Sequence, residues 1–176
     1  MKRLAIAMAI GSLLACGGCG GGSSPTAPAP PANIAGSYSA IITASSTCSA
    51  NLPPAAWELG FLATITQTGA AAQMELIAHV PGAPSTTVSG TVSGQTVKFP
   101  SLSLSETMGA GAALVASGTA SVATDASITG TLSGTYKTSS GSSCNAANHE
   151  LKMIKLCLKP TENGTALLPC GSVQGS

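Results

Sequence analysis

From Asn33 to Leu158 the chain alternates apolar and polar residues with a period of two, the pattern of strands with one face inward and one toward water. Eight runs carry it. Gly36–Thr43 is rich in β-formers. Leu59, Phe61, Ala63 and Ile65 then alternate with Gly60, Leu62, Thr64 and Thr66, and Met74, Leu76, Ala78 and Val80 with Gln73, Glu75, Ile77 and His79. Val88, Gly90 and Val92 form the fourth run. The fifth passes from Val97 and Phe99 through Pro100 to Leu102 and Leu104. Leu114–Val122, Ile128–Tyr136 and His149–Leu158 complete the set.

Between the runs, Thr68-Gly69-Ala70, Ser93-Gly94-Gln95-Thr96 and Thr124-Asp125-Ala126-Ser127 are short enough for tight hairpins, and Gly94 suits a turn with positive φ. Helical character is confined to Pro53–Trp57, where the prolines can open a single turn. The prediction is an all-β domain, an eight-stranded antiparallel up-and-down barrel, with a two-sheet sandwich as the alternative. Ser89-Gly90-Thr91-Val92-Ser93-Gly94 recurs as Thr129-Gly130-Thr131-Leu132-Ser133-Gly134. No lysine follows these glycines and no helix pattern does, so they are not phosphate loops. Glycines on the apolar register relieve crowding where strands curve.

The first 32 residues break the pattern. Met1-Lys2-Arg3 precedes a short apolar run, Leu4 to Ala15, too short to span a bilayer but built like a secretory signal. Leu13-Leu14-Ala15-Cys16 resembles the lipobox of bacterial lipoproteins, in which the cysteine carries acyl chains such as palmitate and becomes the first mature residue. The resemblance implies lipidation at Cys16 and a place in the bacterial cell envelope. Gly17, rather than Asp, is compatible with outer-membrane sorting in that class. Gly17 to Ala32 is Gly/Ser-rich and then Pro-rich, the composition of a tether. The expected organisation is a signal peptide (1–15), lipidated cysteine and tether (16–32), and barrel domain (33–176).

Composition narrows the function more than it suggests one. Of the seven basic residues, Lys2 and Arg3 leave with the signal, so five lysines face six acids and the mature formal charge is −1. No basic run remains to follow a phosphate backbone, and nucleic acid is not expected as a partner. Charged residues are 7% of the chain and aromatic ones 3%, so the surface is Ser, Thr and backbone and the core is small aliphatics. Such a core gains little burial energy per ordered residue and needs covalent help.

Six cysteines are present. Cys16 is assigned to lipid, and Cys19 lies among glycines. Cys48, Cys144, Cys157 and Cys170 remain, and after export they meet an oxidising compartment where disulfides persist. Spacing alone leaves three pairings open. Barrel closure selects one, because the first and last strands become neighbours and the end of the first meets the start of the last. That predicts Cys48–Cys144 across the seam and Cys157–Cys170 pinning the tail. Beyond Cys16-Gly-Gly-Cys19 there is no Cys-x-x-Cys pair, so neither zinc nor any other cofactor is expected.

Gly36-Ser37-Tyr38, Ser46-Thr47-Cys48, Leu52-Pro53-Pro54, Ile65-Thr66-Gln67-Thr68-Gly69, the Ser-Gly-Thr strands and Cys144 followed by His149 together resemble a group of bacterial lipoproteins with a lipocalin-like, calycin-type β-barrel. The resemblance implies a small apolar or amphipathic ligand held inside, lined by Tyr38, Phe61, Met74, Leu76, Phe99, Leu132 and Tyr136.

Catalytic chemistry finds no footing. There is no Gly-x-Ser-x-Gly elbow, the single Asp125 sits in a predicted turn, and the glutamates show no paired spacing. His149 reads as a partly exposed strand residue bonded to nearby backbone, and His79 as a polar residue at a strand end. Lys152, Lys155 and Lys159 read as a solvated edge. A monomeric, non-enzymatic envelope lipoprotein is expected. It would hold the membrane through its anchor and serve in small-ligand binding or structure. The alternative is a protein-interaction module, such as a periplasmic protease inhibitor or adhesin, using loops Ser49–Trp57 or Thr107–Ala113.

Overall fold

The computed structural model describes residues 29–79, 82–105, 111–123, 127–161 and 164–170, with backbone alone at 160, 161 and 164. The predicted signal, Cys16, Cys19 and most of the predicted tether lie outside the described residues. So do Val80 and Pro81, Thr124–Ala126 of the predicted Thr124–Ser127 turn, and Thr107–Ala110 of the Thr107–Ala113 loop.

Nine strands follow in chain order: β1 (Gly36–Thr43), β2 (Glu58–Thr68), β3 (Ala71–Ala78), β4 (Ser85–Ser93), β5 (Thr96–Ser105), β6 (Ala113–Val122), β7 (Ile128–Lys137), β8 (Ser143–Thr161) and β9 (Gly164–Pro169). Each pairs antiparallel with the next, and β1 also pairs with β8 from Ser37↔Leu156 to Thr43↔Glu150. The first eight strands therefore close into a barrel, which excludes the sandwich. β9 is added outside the ring, on the part of β8 that runs past its last pairing with β1.

Sequence periodicity and structure agree where alternation is unbroken. Leu59, Phe61, Ala63 and Ile65 point inward, as do Met74 and Leu76, and the two-residue hairpins turn at Gly69-Ala70 and Gly94-Gln95 with positive φ at both glycines. Two bulges explain where alternation changes phase. In β5 the pairing passes from Phe99↔Gly118 to Leu102↔Ala116, so Pro100-Ser101 holds one extra residue and Phe99 and Leu102 both face inward. Proline fits there because it has no N–H to give the ladder. In β8 the pairing passes from Gly134↔Ala146 to Leu132↔His149, which lets Cys144 and His149 both turn inward. This second bulge is why β8 begins at Ser143 and not at the predicted His149.

β6 and β7 approach each other through glycine. A Cβ at Gly118 would meet the Thr131 carbonyl, one at Gly130 the Thr119 carbonyl, and one at Gly134 the Val115 carbonyl. Here the glycines are required by backbone proximity at a tight curve.

Both mouths of the barrel are stoppered by the chain. At the end where β1 begins, Ile34 is buried and its N–H bonds Gln67 Oε1 (2.8 Å), while Tyr38 donates its hydroxyl to the Ile34 carbonyl (2.8 Å). Gln67 Nε2 donates to the Ala32 carbonyl (2.9 Å), and the Ala32 N–H bonds the Gly94 carbonyl (2.7 Å). The end of the predicted tether is thus stitched across this mouth. At the other mouth the β1–β2 connection forms short 3₁₀ turns at Ser46–Cys48 and Pro54–Ala56, and Cys48, Leu52 and Ala56 drop into the core.

Candidate functional site: the latched rim

The mouth crossed by the β1–β2 connection gathers most of the described buried polar chemistry. Cys48 and Cys144 are bonded there, with Cα atoms 5.5 Å apart, joining the chain after β1 to the first residues of β8 just beyond the seam. Beside the bond, His149 is fully buried. The Ser45 N–H donates to His149 Nδ1 (3.1 Å), so Nδ1 is unprotonated and Nε2–H donates to the Gly134 carbonyl (3.0 Å). The ring lies 5.0 Å from that of Tyr136, whose hydroxyl donates to the Ile42 carbonyl (2.9 Å). Ser45 donates its hydroxyl to Asn148 Oδ1 (2.7 Å). One network thus ties β1, the first 3₁₀ turn, β7 and β8 together.

This arrangement is structural chemistry. Both His149 nitrogens are spent on backbone groups, which leaves none to take a proton from a substrate. The sequence reading of a partly exposed residue is corrected: His149 shares inward parity with Leu151 and Met153, and that parity was the signal for burial.

Above the network lies an open cleft of about 370 Å³, lined by Thr43, Ala44, Ser45, Ser46, Ser49, Trp57, Asn148 and Glu150. Trp57 donates its Nε1–H to the Leu52 carbonyl (3.0 Å), which fixes the indole while 39% of the residue stays exposed. A large ring held by its own hydrogen bond but left half uncovered is suited to a contact. The cleft offers hydroxyls, an amide, a carboxylate and one aromatic face. A second groove of about 320 Å³ runs along the outer wall over Gly130, between Thr129, Thr131 and Lys152.

No family model, curated protein or solved structure matches this chain.

Tyr38, Phe61, Met74, Phe99 and Tyr136 all point into the barrel, with Leu76 and Leu132. Side chains around an internal hollow keep open surface toward it, yet Tyr38, Leu59, Leu114, Leu132, Tyr136 and Met153 keep essentially none. These six are core side chains, while Phe61, Met74 and Phe99 keep 2 to 3% of their surface. Burial also pushes the Tyr38 phenol up to about 12. The second bond, Cys157–Cys170, fastens the end of β9 to β8. Among the described residues no group of three His, Cys, Asp or Glu side chains is placed to hold a metal ion. His79 is exposed on the strand end beside Gly60. Lys155 does not belong to a solvated edge, since it lies on the inward register with its ammonium 5.8 Å from the centre of the Tyr38 ring.

The sequence reading missed Ser45, Asn148 and the stopper Ile34. Ile34 was legible in principle, being the one large apolar residue after the proline run and in register with Tyr38. Ser45 and Asn148 carry no periodic signal and are positioned only by the bulge and the disulfide.

Proposed function

We propose that this chain is a non-catalytic, lipid-anchored protein of the bacterial envelope. Its calycin-like barrel serves as a stapled pedestal, and it binds at the latched rim instead of inside. The observation that carries the reading is the contrast between the two places: inward side chains such as Tyr38, Leu132 and Tyr136 are closed off by packing, while Trp57 is fixed and 39% exposed over an open cleft. Anchoring through Cys16 is supported by the Leu-Leu-Ala-Cys sequence and by the stitched tether end, which enters at the mouth opposite the cleft. The rim then faces away from the membrane, toward a small amphipathic molecule or an envelope protein. With the neutral Ser/Thr wall, recognition must come from shape and the indole.

Native mass spectrometry of the purified protein, paired with its Trp57→Ala variant, tests the reading. A retained molecule or partner that the variant loses supports the rim. One held equally by both would refute it.

A further inference from the structure

The wall of the barrel is mainly Ser and Thr, with Ile41, Ile77 and Val115 exposed among them, and the outer face of the β8–β9 ribbon carries Leu158, the most exposed large apolar side chain among the described residues. β8 runs past its last pairing with β1 at Leu156, and Leu158 is 73% exposed with Leu167, itself 43% exposed, directly opposite it. Leu156 and Pro169 pair on the same face. Ile154 and Lys152 continue it along β8, since alternate residues share a side. Two large leucines paired in the open are costly in water, and the tail disulfide holds them there.

Position says what covers them. The ribbon leaves the barrel at the mouth where the chain arrives from its N-terminus, because Ala32 is bonded to Gly94 and Tyr38 to Ile34 at that mouth. Thirteen residue steps separate Ala29 from Cys16, which bounds the distance from an acylated Cys16 to this mouth at about 45 Å. Cys157–Thr161 carries β8 about 17 Å past its last pairing with β1, toward the surface in which such an anchor would sit. One lysine, Lys159, lies on this extension, a charge suited to anionic headgroups, while Lys155 is turned toward Tyr38. Buried apolar area adds to retention beyond what acyl chains supply.

We propose that the β8–β9 ribbon is a membrane-contacting foot, which sets Leu158 and Leu167 into the headgroup region of a bilayer containing anionic lipid. The proposal rests on the lipid-anchor reading, and the test separates the two. Full-length protein is reconstituted into phosphatidylethanolamine/phosphatidylglycerol vesicles carrying nitroxide-labelled lipid. Wild type reports through Trp57 at the far rim, and a Trp57→Phe/Leu158→Trp variant reports from the foot. Expected are loss and blue shift of emission for the foot reporter and unchanged emission for Trp57. Leu158→Ser/Leu167→Ser in the unacylated Cys16→Ser chain should lower vesicle partitioning about tenfold or more. Both positions are exposed, so folding is spared.

Acyl mass at Cys16 with an unquenched foot reporter overturns the foot and leaves the anchor standing. Absence of acyl mass refutes the anchor, and the quenching and partitioning of the foot variants then decide the foot alone. A dimer in solution that the double serine variant dissolves would assign the leucines to a second copy and overturn the membrane contact.

Discussion

Removing the Cys48–Cys144 bond isolates what closes the barrel. The bond spans a sequence separation of 96, and cross-linking a loop of that length is worth about 4.7 kcal/mol in the chain-entropy model. Cys157–Cys170, with a separation of 13, is worth about 3 kcal/mol by the same relation. Both Cys48 and Cys144 are buried, so Cys48→Ala/Cys144→Ala keeps an apolar lining and adds a void cost of about 1 kcal/mol. The expected loss is about 5 to 6 kcal/mol, comparable to the whole stability of many small domains. Guanidinium titration of this variant beside Cys157→Ala/Cys170→Ala gives both numbers. The rim variant should lose more, and its m value should rise because its unfolded chain is less constrained. If the tail variant loses as much as the rim variant, or m is unchanged, the entropic argument fails.

Three other outcomes follow from single contacts. Gly130→Ala drives a Cβ into the Thr119 carbonyl and should cost about 3 kcal/mol, whereas Gly69→Ala, with open space and only a positive φ to strain, should cost about 1; thermal melts compare them. His149→Ala leaves the Ser45 N–H and the Gly134 carbonyl without partners and should cost about 3 kcal/mol, with faster hydrogen exchange at Ser45 as the local readout. Tyr38 is held protonated up to about 12 against an ordinary 10, so its contribution is intact below pH 10. Above that the unfolded chain releases the proton first, and stability should fall by about 1.4 kcal/mol per pH unit up to pH 12. Tyr38→Phe should flatten that slope.

The fold was legible because a small-residue barrel obeys one rule over most of its length. Strict alternation from Leu59 to Leu76 and from Leu114 to Tyr136 gave the strands, and Gly69 and Gly94 gave their turns. What escaped lies where alternation fails for a tertiary reason. Ser143–Asn148 is in β8 because the Cys144 bond and the bulge opposite Leu132–Gly134 hold it there, and no local propensity says so. β9 rests on its pairing with the extension of β8 and on Cys170, and its Ala-Leu-Leu run is too brief to show a period. The candidate site was harder still. Trp57 stood out by composition, but its half exposure follows from a hydrogen bond to Leu52 within a turn.

The two ends of the barrel divide the work that its wall and interior leave undone. Tyr38, Leu132 and Tyr136 fill the interior with buried side chains, and the wall is mainly Ser and Thr with Ile41, Ile77 and Val115 exposed among them and a groove over Gly130. The mouth at Ile34 is occupied by the arriving chain, its Gln67 stitches and the ribbon. The cleft beside Trp57 sits on Ser45 and Asn148, which the Cys48–Cys144 bond and His149 fix in place. Rigidity at this rim therefore depends on the disulfide, and removing that bond should loosen the cleft before it disturbs the stitched mouth. Hydrogen exchange of Cys48→Ala/Cys144→Ala orders the two: protection lost first at Ser45 and Trp57 supports the division, and protection lost first at Ala32 and Ile34 contradicts it.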